Sequence, residues 1–581
     1  MNERGAQKSV QIPLNMVGSS VFGRYPKISV EQTFNQFIAE DFLVNFAGYQ
    51  FNVPLLGNGR GFFSSPKANL MFAASENKIF KITSGLSPTQ IDSMATNSGD
   101  VFIDEDILGN VAFCDGDNIH IDNYLTGNKY IAGIDVDVAT KVITPLDFVP
   151  NYVFFHNGRF IATSGESGGA QVGQWRLSTT KVADDGTVFI VFPTGTQFQG
   201  GFQTKPDLPI AGVRFPGREN NILIMGSIVS EIWNDQGLTL FPYQRNSSFN
   251  LDFGCLNAAT IATLENLIVW LGSNERSGPV IMYTTGQDIQ KISTDGIDAK
   301  FENLKFPEVS YGFMYRQAGH VFYVITFYAP EDNVTYTYDF NTGKFYTLTD
   351  ENLNYYIAKR TVFFNKKYYF ISINDGNIYE IDSDFTTYEY MNNDIKEIPR
   401  HRVTKTYRTP NNTPGVLQDL SFVVEQGIDT EYTGQGNNIA SIDVLTGGTG
   451  YTTCQVLIEG DGLNAQATAT ITSGVITGIT VNDVGIGYTW MVVTLIGDGT
   501  GATAQSTLNV ANYVPRVDLS VSYDGGYTWS SFDQMQLQTY GKFKNRFYYN
   551  NLGFGNEFTL QFRIWCKSRF ICSDGVMTFY Q

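Results

Sequence analysis

The sequence predicts an all-β protein: a β-propeller with a C-terminal β-sandwich-like domain carrying an inserted small all-β repeat module. Three observations carry this expectation. Residues 65 to 395 hold a series of hairpins, each a β-rich strand, an Asn/Asp/Gly turn and a second β-rich strand. Residues 437–510 hold two copies of one pattern with a strict spacing of 37. Aromatic residues make up 14% of the chain against 17% charged, and long amphipathic helical stretches are hard to find.

Residues 1–55 carry few strand patterns and several turn-formers, such as Val17-Gly-Ser-Ser20 and Gly23-Arg-Tyr-Pro26, and read as an N-terminal extended arm. An ordinary N-terminal sheet strand is the alternative. The propeller is expected over 56–400. Its hairpins run from Asn69–Ala74 to Lys78–Ile82, Asn110–Cys114 to Asn118–Ile121, and Tyr152–Phe155 to Arg159–Thr163. Two more run from Thr335–Phe340 to Lys344–Leu348 and from Tyr368–Ser372 to Asn377–Ile381. Many hairpins in series without helices between them suit propeller blades, with a large sandwich as the alternative.

The C-terminal β domain is expected over 401–436 and 511–581, interrupted by the repeat module at 437–510. Ile442-x-Val444 recurs as Ile479-x-Val481, Gly450-Tyr451 as Gly487-Tyr488, Gly460-Asp-Gly462 as Gly497-Asp-Gly499, and Ala465-x-Ala467 as Ala502-x-Ala504. These copies read as two similar halves packed face to face. The flanking strands Leu420–Val424 and Val517–Val521 belong to one unit, so the module is an insertion leaving from a loop tip.

After Val517–Val521 comes Ser522-Tyr-Asp-Gly-Gly-Tyr-Thr-Trp529, which reads as a tight hairpin. Asp524 can bond its own backbone, and Gly525 and Gly526 can take positive φ without steric cost. These three residues are the expected structural turn. The run resembles both the Asp box of sialidase-like propellers and a Ser-x-Asp-Gly-Gly-x-Thr-Trp segment of short-tailed phage tail hubs. Only one such box is present, whereas sialidase propellers usually carry several.

Other chemistry is sparse. Gly165-Glu-Ser-Gly-Gly169 matches a nucleophile elbow in letters, but Ala170-Gln-Val-Gly-Gln-Trp175 after it is no helix. His120, His156, His320 and His401 each stand alone, without metal-ligand spacing. Asp104-Glu-Asp106 and Asp115-Gly-Asp117 lack the loop of a calcium site, and the second already serves as a turn. No catalytic residue, cofactor or metal is expected. Cys114, Cys255, Cys454, Cys566 and Cys572 are scattered and odd in number, which suits synthesis in a reducing cytoplasm. No apolar run is long enough to span a bilayer, and Met1-Asn-Glu-Arg lacks a signal-peptide core, so a soluble, unsecreted product is expected. The formal charge of −18 disfavours tight binding to phosphate backbones but lets DNA slide past an acidic wall.

Several further stretches, in order, resemble the tail hub, or nozzle, proteins of podoviruses, the packaged-DNA stabilisation family. They are Glu31-Gln-Thr-Phe-Asn35 with Phe46-Ala-Gly48, then Ser230-Glu-Ile-Trp-Asn-Asp-Gln-Gly237 with Phe241-Pro-Tyr-Gln-Arg245. Gly254-Cys255, Val269-Trp-Leu-Gly-Ser273 and Gln290-Lys-Ile-Ser-Thr294 follow. Tyr315-Arg-Gln-Ala-Gly-His-Val-Phe-Tyr323, Thr337-Tyr-Asp339, Ile398-Pro-Arg-His-Arg402 and Tyr540-Gly-Lys-Phe-Lys-Asn-Arg546 complete the series. The 37-residue repeats depart from that pattern and look like Gly-Tyr-rich repeats that decorate phage structural proteins.

The resemblance implies a virion tail protein made in the bacterial host cytoplasm. It would form a homo-oligomeric ring, six-fold by analogy, below portal and adaptor proteins and beside tail fibres or spikes. DNA would pass through the channel without sequence-specific binding. No catalytic residue transfers, and Trp233, Phe241, Trp270, Phe322 and Tyr323 would be core or interface aromatics. The alternative is a glycan-binding or sialidase-like propeller of a tail spike.

Overall fold

The structure is a computed structural model. It describes residues 9–23, 31–55, 57–164, 173–238, 241–247, 251–409, 413–426, 438–460, 464–485, 488, 491–509, 515–537 and 544–580. Strands dominate; the one α-helix among the described residues is Asp295–Glu302, with Thr294 as its N-cap. The chain divides into one unit of 18–407 with 524–527, and another of 1–17, 408–523 and 528–581.

The first unit is a β-propeller. Among the described residues, seven antiparallel four-stranded blades begin with Gly59–Ser65, Phe102–Glu105, Tyr152–His156, Pro209–Arg214, Ala262–Leu264, Ser310–Gln317 and Ala358–Phe364. All five hairpins expected from the sequence are paired strands of these blades. Short-range turn chemistry explains them. Gly116, Gly158, Gly343 and Gly376 all have positive φ in the expected turns, where a Cβ would be strained. Blades pack through aromatic and aliphatic side chains: Trp175, Trp233 and Tyr243 share one buried cluster with Phe154, Ile161 and Ile222. A further four-stranded sheet of Gly133–Val136, Ile143–Pro145, Thr179–Val182 and Val188–Val191 grows out beside blades two and three.

The N-terminal segment corrects one expectation. Residues 32–53 are not an extended arm but strands of the propeller unit. Gly48–Val53 is the outer strand beside Ile378–Asp382 in blade seven, with Phe51 opposite Tyr379 and Tyr49 opposite Ile381. Gln32–Phe34 lies between Lys344–Leu348 of blade six and Arg400–Val403. An otherwise open strand edge is satisfied this way, and the ends of the ring are tied together. Chain closure needs a partner hundreds of residues away, so the local pattern did not disclose it.

The second unit contains a sandwich. In one sheet Gly415–Gln426 lies between Lys544–Asn550 and Phe570–Tyr580, and Ser9–Leu14 pairs on the far side of the latter. In the other, Arg516–Ser522 lies between Glu557–Trp565 and Asp533–Gln536. Leu420, Phe422 and Val424 alternate into the core, and Phe422 meets Phe562 of the other sheet edge-on at 5.4 Å. The Tyr549 hydroxyl crosses the core to donate to the Val517 carbonyl at 2.7 Å.

The run after Val521 is a longer connection than the tight hairpin expected. Leu519 already pairs with Asp533, so residues 523–532 loop out between the two strands.

The repeat module also differs from two face-to-face halves. Its copies interleave: Asn438–Thr449 pairs with Thr500–Asn509, Cys454–Gly460 with Met491–Gly497, and Gln466–Thr472 with Val475–Asp483. These three pairs each join one copy to the other, and only a single register pair, Gln455 opposite Thr468, links two strands of the first copy. Ile439 and Ile476 are each 1% exposed, and Tyr451 and Tyr488 each 4%, so equivalent positions of the two copies build one shared core. Gly499 lets the Tyr451 ring approach, since a Cβ there would stand 2.4 Å from it. Each copy alone presents strands without partners, which is why the halves exchange them.

Candidate functional site in the propeller bore

The first strands of all seven blades converge on one cavity of about 480 Å³. That lies within the roughly 300–1,000 Å³ typical of small-molecule pockets. Alternation along each strand aims some side chains here and others between blades. Phe62, Ile103, Tyr152, Phe154, Val213, Phe313 and Met314 give apolar walls; Asp104, Arg214, Glu265, Arg360 and Thr361 give polar ones.

The polar groups mostly latch blades together. Asp104 of blade two accepts from Arg214 Nη2 of blade four at 2.7 Å and from the Phe155 backbone N–H of blade three at 2.7 Å. Arg214 Nε donates to the Phe155 carbonyl at 2.6 Å. Burial pushes the Asp104 carboxyl above its usual pKa, against the opposing pull of Arg214. The Thr361 hydroxyl of blade seven donates to the Met314 carbonyl of blade six at 2.9 Å. Arg316 meets Glu265 at 2.9 Å. Arg360 of blade seven donates to the Ile261 carbonyl at 3.0 Å and lies 5.6 Å from the centre of the Phe102 ring. Burial pushes the Tyr152 phenol up to about 12.

The residues singled out in the sequence do not meet here, Asp104 excepted. Gly525 and Gly526 have φ of +75° and +98°, and the Asp524 carboxylate accepts from the Tyr527 N–H at 3.0 Å. Asp115 accepts from Asp117 and Asn118 backbone N–H groups at 3.0 and 2.7 Å, and Asp106 from those of Leu108 and Asn110, each at 2.8 Å. Both aspartates thus organise turns. Among the described residues no three His, Cys, Asp or Glu side chains group as metal ligands do. The segment 165–169 lies outside the described residues; the strands flanking it, Arg159–Thr163 and Gln174–Leu177, pair antiparallel as blade neighbours.

The histidines have structural partners. His120 Nδ1 faces Asp92 and His320 Nδ1 faces Asp339, each at 2.8 Å. His156 is held by the Tyr243 hydroxyl and the Glu219 carbonyl, both at 2.7 Å. His401 is buried against Phe34. Trp233, Trp270, Phe322 and Tyr323 are core residues, and Phe241 packs on Trp175. Cys114, Cys255, Cys566 and Cys572 are buried, and Cys454 is half-buried. Among the described residues no helix is long and apolar enough to cross a membrane.

Sequence reasoning missed Arg60 and Glu231. Arg60 is buried and donates to the carbonyls of Gly99, Glu76, Thr96 and Ser98 at 2.6–2.9 Å, stapling two loops. Its one local signal is the pair of flanking glycines: a Cβ on Gly61 would stand 2.3 Å from the Val101 carbonyl oxygen. Glu231, inside the strand Ser230–Asp235, accepts from the backbone N–H groups of Gln203 and Thr204 at 2.9 and 2.7 Å. Nothing local marks it.

Comparison with known proteins bears on one stretch. No curated protein matches. Among solved structures, a streptogramin B lyase is similar at 15% identity, covering 58% of this chain and 97% of that one, with a TM-score of 0.36. The WD40 β-propeller domain of Doa1 is similar at 10% identity, covering 58% of this chain and 97% of that one, with a TM-score of 0.35. Residues 179–386, running through blades four to seven, match the family Phage_stabilise, described as "Bacteriophage P22 Gp10, beta-propeller", and this match supports a phage protein.

Proposed function

We propose that the chain is a structural protein of a phage tail: a hub subunit that continues the DNA channel below portal and adaptor, retains the packaged genome and permits its ejection. The observation that carries this reading is the match of residues 179–386 to the phage propeller family. The bore supports a scaffold role, because its polar groups mostly bridge blades. A cavity of about 480 Å³ suits a small molecule rather than a duplex, so DNA would pass between subunits, not through each propeller.

In this scheme the propeller, 56–400, forms the outer wall. The C-terminal β domain, 401–436 with 511–581, and its insertion, 437–510, meet neighbouring tail proteins. Heterologous contacts around a rotation axis close the ring, six-fold by analogy, and no catalysis is required.

Electron microscopy of the purified protein, alone and with its cognate portal and adaptor, tests the reading. Closed rings that cap the adaptor are expected. Intertwined trimers that bind host glycans would overturn it in favour of a spike.

A further inference from the structure

The geometry points to an oxyanion site in the propeller bore, centred on Arg360 with the Tyr152 hydroxyl as a second donor, for a small carboxylate or phosphate. Four of the charged groups around the bore are spoken for: Arg214 by Asp104 at 2.7 Å, and Glu265 by Arg316 at 2.9 Å. Arg360 is the cation left over. Among the described residues no carboxylate lies within ion-pairing distance of it. Its partners among the described residues are one neutral carbonyl, Ile261 O at 3.0 Å, and the face of the Phe102 ring.

A guanidinium has five N–H donors in a planar fork suited to two oxygens at once, so one carbonyl leaves most of it unused. Half-burying such a group without a counter-charge costs free energy that an anion would offset.

The second donor packs against the same ring. Tyr152 lies with its ring centroid 4.5 Å from that of Phe102, the same ring that Arg360 overlies. Its hydroxyl has no hydrogen-bond partner among the described residues. Both side chains line the cavity of about 480 Å³. This is roomy for a water or two and matches a small oxyanion with its own shell. An anion held there would tie blade seven to blade three and brace the ring from its axis. The site does not depend on the tail reading.

Calorimetric titration of the full chain in chloride buffer tests it, with inorganic phosphate and citrate as separate probes. Saturable one-to-one binding of at least one probe is expected, and the probe that saturates identifies the oxyanion. Arg360→Gln should weaken it at least about tenfold, and Tyr152→Phe about threefold. Circular dichroism checks that each variant is folded. If Arg360→Gln fails to fold, Tyr152→Phe decides, since it keeps the ring and removes only the donor. No binding of either probe to the parent chain, or unchanged affinity in the folded variants, would overturn the assignment.

Discussion

Tyr49, from the N-terminal segment, stacks on Tyr388 with ring centroids 4.3 Å apart and planes 11° from parallel, and its hydroxyl bonds that of Tyr390 at 2.6 Å. This contact sits where Gly48–Val53 closes blade seven, so it holds the two ends of the propeller together. Tyr49→Ala removes a fully buried ring and should cost about 3–5 kcal/mol. Denaturant titration should show an earlier midpoint and faster proteolysis of the N-terminal segment. A midpoint equal to that of the parent would show that closure lies elsewhere.

His156 should make stability depend on pH. Burial lowers its pKa below the ordinary 6.5. The folded state therefore holds it neutral while the unfolded chain takes up a proton first. Its contribution is fully present above the unfolded pKa and is lost as pH falls toward the folded one. His156→Gln should thus be more damaging at about pH 7.5 than at about pH 5.5, measured as the gap in melting temperature from the parent. A gap that widens on acidification contradicts the assignment.

Gly525 and Gly526 both have positive φ, so either one replaced by Val should cost about 1–3 kcal/mol through backbone strain. Asp524→Ala loses the hydrogen bond its carboxylate accepts from the Tyr527 N–H and should cost about 0.5–1.5 kcal/mol. Urea melts of the three variants provide the comparison. Two Val variants as stable as the parent would refute the strain argument.

The insertion should be removable as a whole but not by halves. Asn438 and Asn509 are direct partners in the register, so the module's ends already lie side by side and a short Gly-Ser linker can join them. Replacing 437–510 by that linker should leave a folded protein with a cooperative melt. Deleting only 474–510 should leave the first copy largely unpaired and protease-sensitive, because the three extensive strand pairs run between copies. Loss of the whole fold on complete removal would disprove autonomy.

Weak DNA binding is the expected behaviour of an acidic channel wall. With a net charge of −18 per chain, the isolated protein should not shift duplex DNA at physiological salt. Salt-sensitive binding at submicromolar protein in a gel-shift titration, or a continuous Lys/Arg stripe along the bore of the assembled ring, would rule out the low-friction reading.

The sequence by itself determined the strands, the turns and the repeat. The pair Tyr152–His156 and Arg159–Thr163 was legible because an Asn-Gly turn and flanking β-formers act over a few residues. Trp233 and Trp270, expected as core or interface aromatics, are buried in the core. Tertiary structure decided what joins distant positions. It put Gly48–Val53 beside Ile378–Asp382, exchanged strands between the 37-residue copies, and paired Asp104 with Arg214 across 110 positions. It also left Arg360 as the uncompensated cation of the bore. The physical reason is range: turn chemistry and alternation are properties of neighbouring residues. Ring closure and the bore's charge balance arise only when seven blades bring their first strands to one axis.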